Sequence, residues 1–213
     1  MTNKEKEKFY YNSIKQESKK YSWKFKTHFT YKVIQDLYFT SYFYVVPKEN
    51  KIYGWLAFKP FSLDDLFWEI TDSKENSKLP ISFRGEAAFK IASDSIYEFN
   101  VTINNEDKPE TEINILLSEI ENKIAETEEK YPTIEKFLEK QYENEKTHSL
   151  GILTILIKLE KYEEAKNKIT EFRNRKINSG YSVGNKDYYD LFEEYCVKKT
   201  KKNNSFIQRI FNT

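Results

Sequence analysis

The chain has 213 residues, with 35 Lys and Arg against 34 Asp and Glu, so its bulk charge directs it to no polyanion. A mean hydropathy of −0.79 would suit a disordered chain, but 16% aromatic residues would not, and the chain is expected to fold. A single cysteine, Cys196, excludes an intramolecular disulfide and a thiolate metal site.

The first twenty residues, MTNKEKEKFYYNSIKQESKK, read as a charged N-terminal helix and lack the apolar core of a secretory signal. The longest apolar runs, such as LGILTILIKL, are much shorter than the ~20 residues a membrane helix needs. The expectation is a cytoplasmic protein with no membrane partner. Its richness in Lys, Asn, Ile, Glu and Tyr suggests an AT-rich bacterial genome.

Residues 21–68 hold 16 of the 35 aromatic residues and all three tryptophans. WKFKTHFTYKV (23–33) alternates throughout, with Trp23, Phe25, Thr27, Phe29, Tyr31 and Val33 on one side and Lys24, Lys26, His28, Thr30 and Lys32 on the other. That period predicts one half-buried strand. LYFTSYFYVV follows the turn-like IQD, and KIYGWLAFK follows PKEN, giving an antiparallel meander. A fourth strand, SIYEFNVTI (95–103), puts Tyr97, Phe99, Val101 and Ile103 on one face.

Beyond Pro109 the period becomes that of a helix. Ile113, Leu116, Leu117, Ile120 and Ile124 form one stripe, and another helix starts near Pro132. SLGILTILIKL is apolar nearly all round and reads as a central helix, followed by a stripe of Tyr162, Ala165, Ile169 and Phe172. NSGYSVGNKD is a turn-rich break before a short helix (187–198) and a last amphipathic turn, SFIQRIF. The predicted class is α+β: an N-terminal helix, an antiparallel sheet of about four strands, and an all-helical C-terminal half. The expected division is 1–108 and 109–213, with the helices either separate or docked on the sheet.

SLDDLFWEI (62–70) is the most suggestive stretch. If Ser62 caps a helix, Asp64 and Asp65 meet its free N–H groups, and Leu63, Leu66, Phe67 and Ile70 form its apolar face with Trp68 at the edge. The same residues also suit a surface for a partner's Lys or Arg. Asp64, Asp65 and Glu69 would steer the partner, Trp68 would supply contact area, and Arg84 and Glu86 of SFRGEAAF would complete the charge pattern.

Charge is polarised locally. Residues 109–146 carry eleven Glu against five Lys, and 166–213 carry eleven Lys and Arg against five acids. Antiparallel helices would cancel these stretches. Otherwise Lys166, Lys168, Arg173, Arg175, Lys176, Lys198, Lys199, Lys201 and Lys202 would form a basic face toward nucleic acid.

Catalytic patterns are missing. No Ser sits in a G-x-S-x-G turn, five glycines form no phosphate cradle, and Cys196 follows a helical stripe where a buried thiol is the default. Two histidines, His28 and His148, are too few for a zinc or iron site. The EEK triplet (128–130) sits inside a helical charge run. No catalytic residue, metal ligand or cofactor is assigned, and a protein-binding function is favoured over an enzyme. The alternatives are a nucleic-acid-associated protein using the basic stretch and a metal-dependent hydrolase or nuclease with an acidic site.

LEKYEEAKNKI (159–169) resembles the turn and second-helix start of a tetratricopeptide unit, though over one helix pair only and without a second copy. The overall plan resembles small bacterial α+β toxin-neutralising immunity proteins, which are rich in aromatics and acids and carry no catalytic motif. That resemblance implies a binding function of immunity or inhibitor type and transfers no site residues.

Overall fold

The computed structural model describes residues 1–86, 90–180 and 182–211, with the backbone alone for 183 and 202–211. Helix α1 (Asn3–Lys20) opens on a capping box, in which the Thr2 hydroxyl accepts the Glu5 N–H and the Glu5 carboxylate accepts the Thr2 N–H. Five antiparallel strands follow in the spatial order of the sequence: β1 (Lys24–Lys26), β2 (Phe29–Ile34), β3 (Leu37–Val46), β4 (Lys51–Pro60) and β5 (Asp94–Thr102). Between β4 and β5 lie helices α2 (Ser62–Ile70) and α3 (Phe83–Glu86). After β5 come α4 (Glu110–Lys130), α5 (Ile134–Tyr142), α6 (Glu145–Lys158), α7 (Tyr162–Asn174), the small hairpin β6 (Ser182–Val183) and β7 (Lys186–Asp187), and α8 (Tyr188–Phe211). The α+β class and N-terminal helix are as expected, with five strands in the main sheet.

The additional strand arises where the sequence alternates without a break. Thr27 and His28 form a two-residue turn, Thr27 at φ 53°, and Lys26 pairs directly with Phe29. Residues on either side of such a turn pair directly across it, so Phe25 shares a face with Thr30 rather than with Phe29. Likewise, α8 is one continuous helix where a short helix and a separate turn were expected. The side chains of its 205–211 segment lie outside the described residues.

The chain divides into two compact units. The first comprises residues 1–61, 81–86 and 93–132, and the second 62–80, 87–92 and 133–213. This differs from a split at 108: α4 belongs with the sheet, and α2 belongs with the later helices.

In the sheet unit, one face carries Phe39, Phe43, Ile52, Leu56 and Phe58, all fully buried. Helices α1 and α4 cover it. Tyr131, at the end of α4, packs on Phe58, while Glu119 and Glu121 of α4 accept hydrogen bonds from Tyr97 and from Trp23 and Lys32. The predicted α4 stripe, Ile113, Leu116, Leu117, Ile120 and Ile124, is buried throughout. Each such side chain contributes roughly 1.5–3 kcal/mol by leaving water.

In the helical unit, residues 152–157 of α6 are all buried, as expected of a central helix. Helix α2 packs against both α6 and α8, and Phe67 meets the rings of Tyr188 and Phe192.

Candidate functional site

The second sheet face is only partly covered. Its residues alternate with the buried set: Phe29 and Tyr31 on β2, Tyr38, Thr40, Tyr42 and Tyr44 on β3, Tyr53 and Trp55 on β4, Glu98 and Asn100 on β5. Short helix α3 closes one end. A Cβ on Gly85 would lie 3.0 Å from Phe29 and Tyr38, and the Tyr42 hydroxyl donates to the Gly85 carbonyl at 2.7 Å. The other end is open. Tyr44 is 53% exposed and lines a shallow depression of about 580 Å³ with Tyr53, Trp55, Glu98 and Asn100.

The aromatics there are ordered by stacking. Trp55 stacks on Tyr42 at 4.9 Å and on Tyr44 at 5.8 Å, because these residues are direct or diagonal neighbours across the β3–β4 pair. Acids fringe them. Glu98 is exposed beside Trp55, Glu49 accepts the Tyr53 hydroxyl at 3.1 Å, and exposed Glu86 ends α3. Burial, and then the Glu86 charge, push the Tyr42 phenol above its usual range. Lys51 lies over the Tyr53 ring at 5.8 Å and pairs with Glu49 at 3.4 Å, while the buried Lys59 and the exposed Lys24 and Lys26 lie on the same face toward β1 and the α3 end. The open end of the face therefore offers flat rings fringed by acids, which suits a cationic side chain better than a phosphate.

Sequence reasoning placed the aromatic and acidic surface at 62–70 and 84–86. Three of that set are buried. Asp64 is fully buried and accepts the Ile91 N–H at 2.9 Å. Trp68 is 1% exposed, because α2 is gripped by both α6 and α8. Arg84 is buried, stacked 3.8 Å from the Phe61 ring and donating to its carbonyl. None of the three presents its side chain at a surface. Asp65, Glu69 and Glu86 remain at least partly exposed, and Glu69 accepts the Tyr195 hydroxyl at 2.9 Å with Lys199 at 3.8 Å. Arg84 and Glu86 fall in the sheet unit, whereas Asp64, Asp65, Trp68 and Glu69 fall in the helical unit.

The residues that were missed, Tyr44, Tyr53 and Trp55, had a signal in the sequence. Along YFTSYFY (38–44), Phe39 and Phe43 fall on one parity and Tyr38, Tyr42 and Tyr44 on the other. Hydroxyl-bearing rings mark the face that meets water.

The basic stretch is largely neutralised. Lys168 pairs with Glu145 at 2.7 Å and Glu171 at 2.9 Å, Arg175 pairs with the same two acids, and Arg173 pairs with Asp190 and Glu193. Lys166 pairs with Glu163, and Lys199 has Glu69 nearby. Lys176, Lys198 and Lys201 are exposed, but Lys198 and Lys201 share their groove with Asp190, Glu193 and Glu194. Lys202 lies outside the described side chains. No continuous cationic face results from these residues.

Among the described residues no group of three or more His, Cys, Asp or Glu is placed to hold a metal ion. His28 lies in the β1–β2 turn with its carbonyl accepting the Phe43 N–H, and His148 is buried in α6. Cys196 is fully buried, and burial pushes its thiol from 9.0 to about 11, the opposite of what a nucleophile needs. No described helix is long and apolar enough to cross a membrane. No protein-family model, curated protein or solved structure matches the chain.

Proposed function

We propose that the protein is a binding protein, of the immunity or inhibitor kind that its style of sequence resembles, and that the open sheet face receives a basic segment of a protein partner. One observation carries this reading: Tyr44 and Trp55 stand stacked and solvent-accessible beside Tyr53 on an ordered sheet, fringed by Glu49, Glu86 and Glu98. Stacked Tyr and Trp lose little side-chain entropy on binding and are the residue types that dominate interface energies. A Lys or Arg over a ring adds about 0.5–2 kcal/mol as it becomes desolvated. The acids steer the encounter and repel polyanions.

The test is capture from host lysate with the tagged full chain, followed by affinity measurements on the identified partner with Tyr44→Ala and Glu98→Lys. The expected result is one stoichiometric protein that persists at moderate salt and binds Tyr44→Ala about tenfold or more weakly, the scale of a hot-spot residue. A partner that binds both variants as tightly as wild type would place the site elsewhere. Capture of no stoichiometric protein at either low or moderate salt would count against the binding reading itself.

A further inference from the structure

We propose that a cavity within the helical unit is a binding site for a single phosphate group, either the free anion or one carried on a small ester. The cavity is built where α6 breaks. His148 has φ −110° and ψ 18°, outside the helical range, so the straight part of the helix restarts at Ser149. Ser149 and the two residues after it form one wall, Lys90 and Lys146 contribute to others, and Asn178 and Ser179 close it from the segment after α7.

The chemistry of this lining is one-sided. In a chain with 34 acids, no carboxylate is among the described residues that line the cavity, whereas two ammonium groups and an imidazole are. The Gly180 N–H donates to the Asn178 side-chain oxygen at 2.8 Å, which leaves the amide NH₂ of Asn178 as its donor. Thr147 and Ser149 add hydroxyls. A carboxylate ligand has two oxygens and would leave most of these donors unused. A tetrahedral oxyanion has the acceptor capacity to match them.

The lysines themselves point the same way. Elsewhere in this unit Lys161, Lys166, Lys168 and Lys186 each sit in an ion pair. Among the described residues neither Lys90 nor Lys146 makes one. Lys90 is only partly exposed, and burial holds its ammonium below the usual range, with the charge of Asp64 opposing that shift. Asp64 is fully buried and does not line the cavity. A part-buried cation without a contacting anion is costly, and an anion entering the cavity relieves that cost.

Size narrows the ligand. The cavity measures about 220 Å³, below the ~300–1,000 Å³ of sites for drug-sized molecules and well above the ~30 Å³ of one water. A phosphate or a small phosphomonoester fits that range, and a nucleic-acid strand does not.

The experiment is calorimetric titration of the full chain with inorganic phosphate, methyl phosphate and acetate, at ionic strength matched with KCl. Wild type should bind phosphate saturably in the millimolar range or tighter and acetate much more weakly. Methyl phosphate binding tighter than phosphate assigns the site to an ester, and the reverse order assigns it to the free anion. Lys146→Gln, at an exposed position that does not disturb packing, should weaken binding about fivefold, and Lys90→Gln should weaken it further. Lys48→Gln, on the exposed surface of the other unit, should change nothing. No saturation by either phosphate up to tens of millimolar, acetate binding as tight as phosphate, or unchanged affinity in Lys146→Gln would each overturn the assignment.

Discussion

Gly54 shows how tightly the sheet is built beneath the candidate face. It pairs with Phe43 in the middle of β4, and a Cβ placed there would lie 1.9 Å from the Tyr42 carbonyl oxygen and 2.5 Å from the Phe99 ring. The first of these contacts is backbone, so no rotamer change removes it. Gly54→Ala must therefore push β3 and β4 apart beneath Trp55, and a cost of about 3 kcal/mol or more is expected. For a chain of this length that corresponds to a fall of roughly 6–12 °C in melting temperature. Gly180→Ala is the comparison. At φ +87° with nothing within 4 Å, it meets only the conformational penalty of the left-handed region, about 1–2 kcal/mol. Thermal melting of both variants checks this ordering, and equal shifts would show that the close approach at Gly54 is not what requires glycine. Cys196 makes a complementary point. Its burial and raised thiol make it a core residue, as its place in a helical stripe suggested.

Among the elements, the α7 helix depends on a charge cluster that can be read by pH. Glu145, at the start of α6, accepts from both Lys168 and Arg175, and Glu171 joins the same cations. Burial acts to raise the Glu145 carboxyl, but the bonds from Lys168 and Arg175 outweigh it and hold the group below its ordinary 4.5. A carboxyl depressed in the folded state contributes stability above its unfolded pKa and loses that contribution as pH falls through its folded value. Glu145→Gln should cost roughly 1–2 kcal/mol at neutral pH, and the gap from wild type should narrow as pH falls below 4.5. Urea denaturation at pH values on both sides of that point measures it, and a pH-independent gap would mean that the loss is packing rather than charge. Elements of this kind differ in how legible they are. The α4 stripe could be read because Ile113 to Ile124 repeat with the helix's own period, a purely local property. The β1–β2 hairpin could not, because its turn residues, Thr27 and His28, include no glycine or asparagine, and the alternation runs on through the turn. For the same reason the acid and aromatic cluster at 64–69 misled. Neighbours in sequence define a composition, but whether Trp68 is wet depends on α6 and α8, which start 77 and 120 residues further along the chain.

For the whole molecule, near-neutrality is reached by mutual cancellation rather than by sparse charge. The acids of the 109–146 stretch and the cations of 166–176 meet through Glu145, Lys168 and Arg175, while Arg173 is covered by Asp190 and Glu193. A polyanion binds by replacing condensed counterions with protein cations, and cations already held by carboxylates contribute little to that exchange. Binding of single-stranded or duplex DNA, followed by fluorescence anisotropy at low salt, is therefore expected to remain unsaturated at protein concentrations below ~10⁻⁴ M, the weak end of non-specific association. Micromolar binding with a steep salt slope would contradict this. It would also name the residues responsible, because Lys198 and Lys201 are the described cations of α8 that are exposed without an ion pair. Lys198→Gln with Lys201→Gln would then reduce the salt slope by about two, one for each phosphate contact removed. The acidic fringe of the sheet face predicts a shallower salt response for a basic protein partner. There the aromatic contacts persist as salt screens the acids, so association should slow with salt while dissociation changes little.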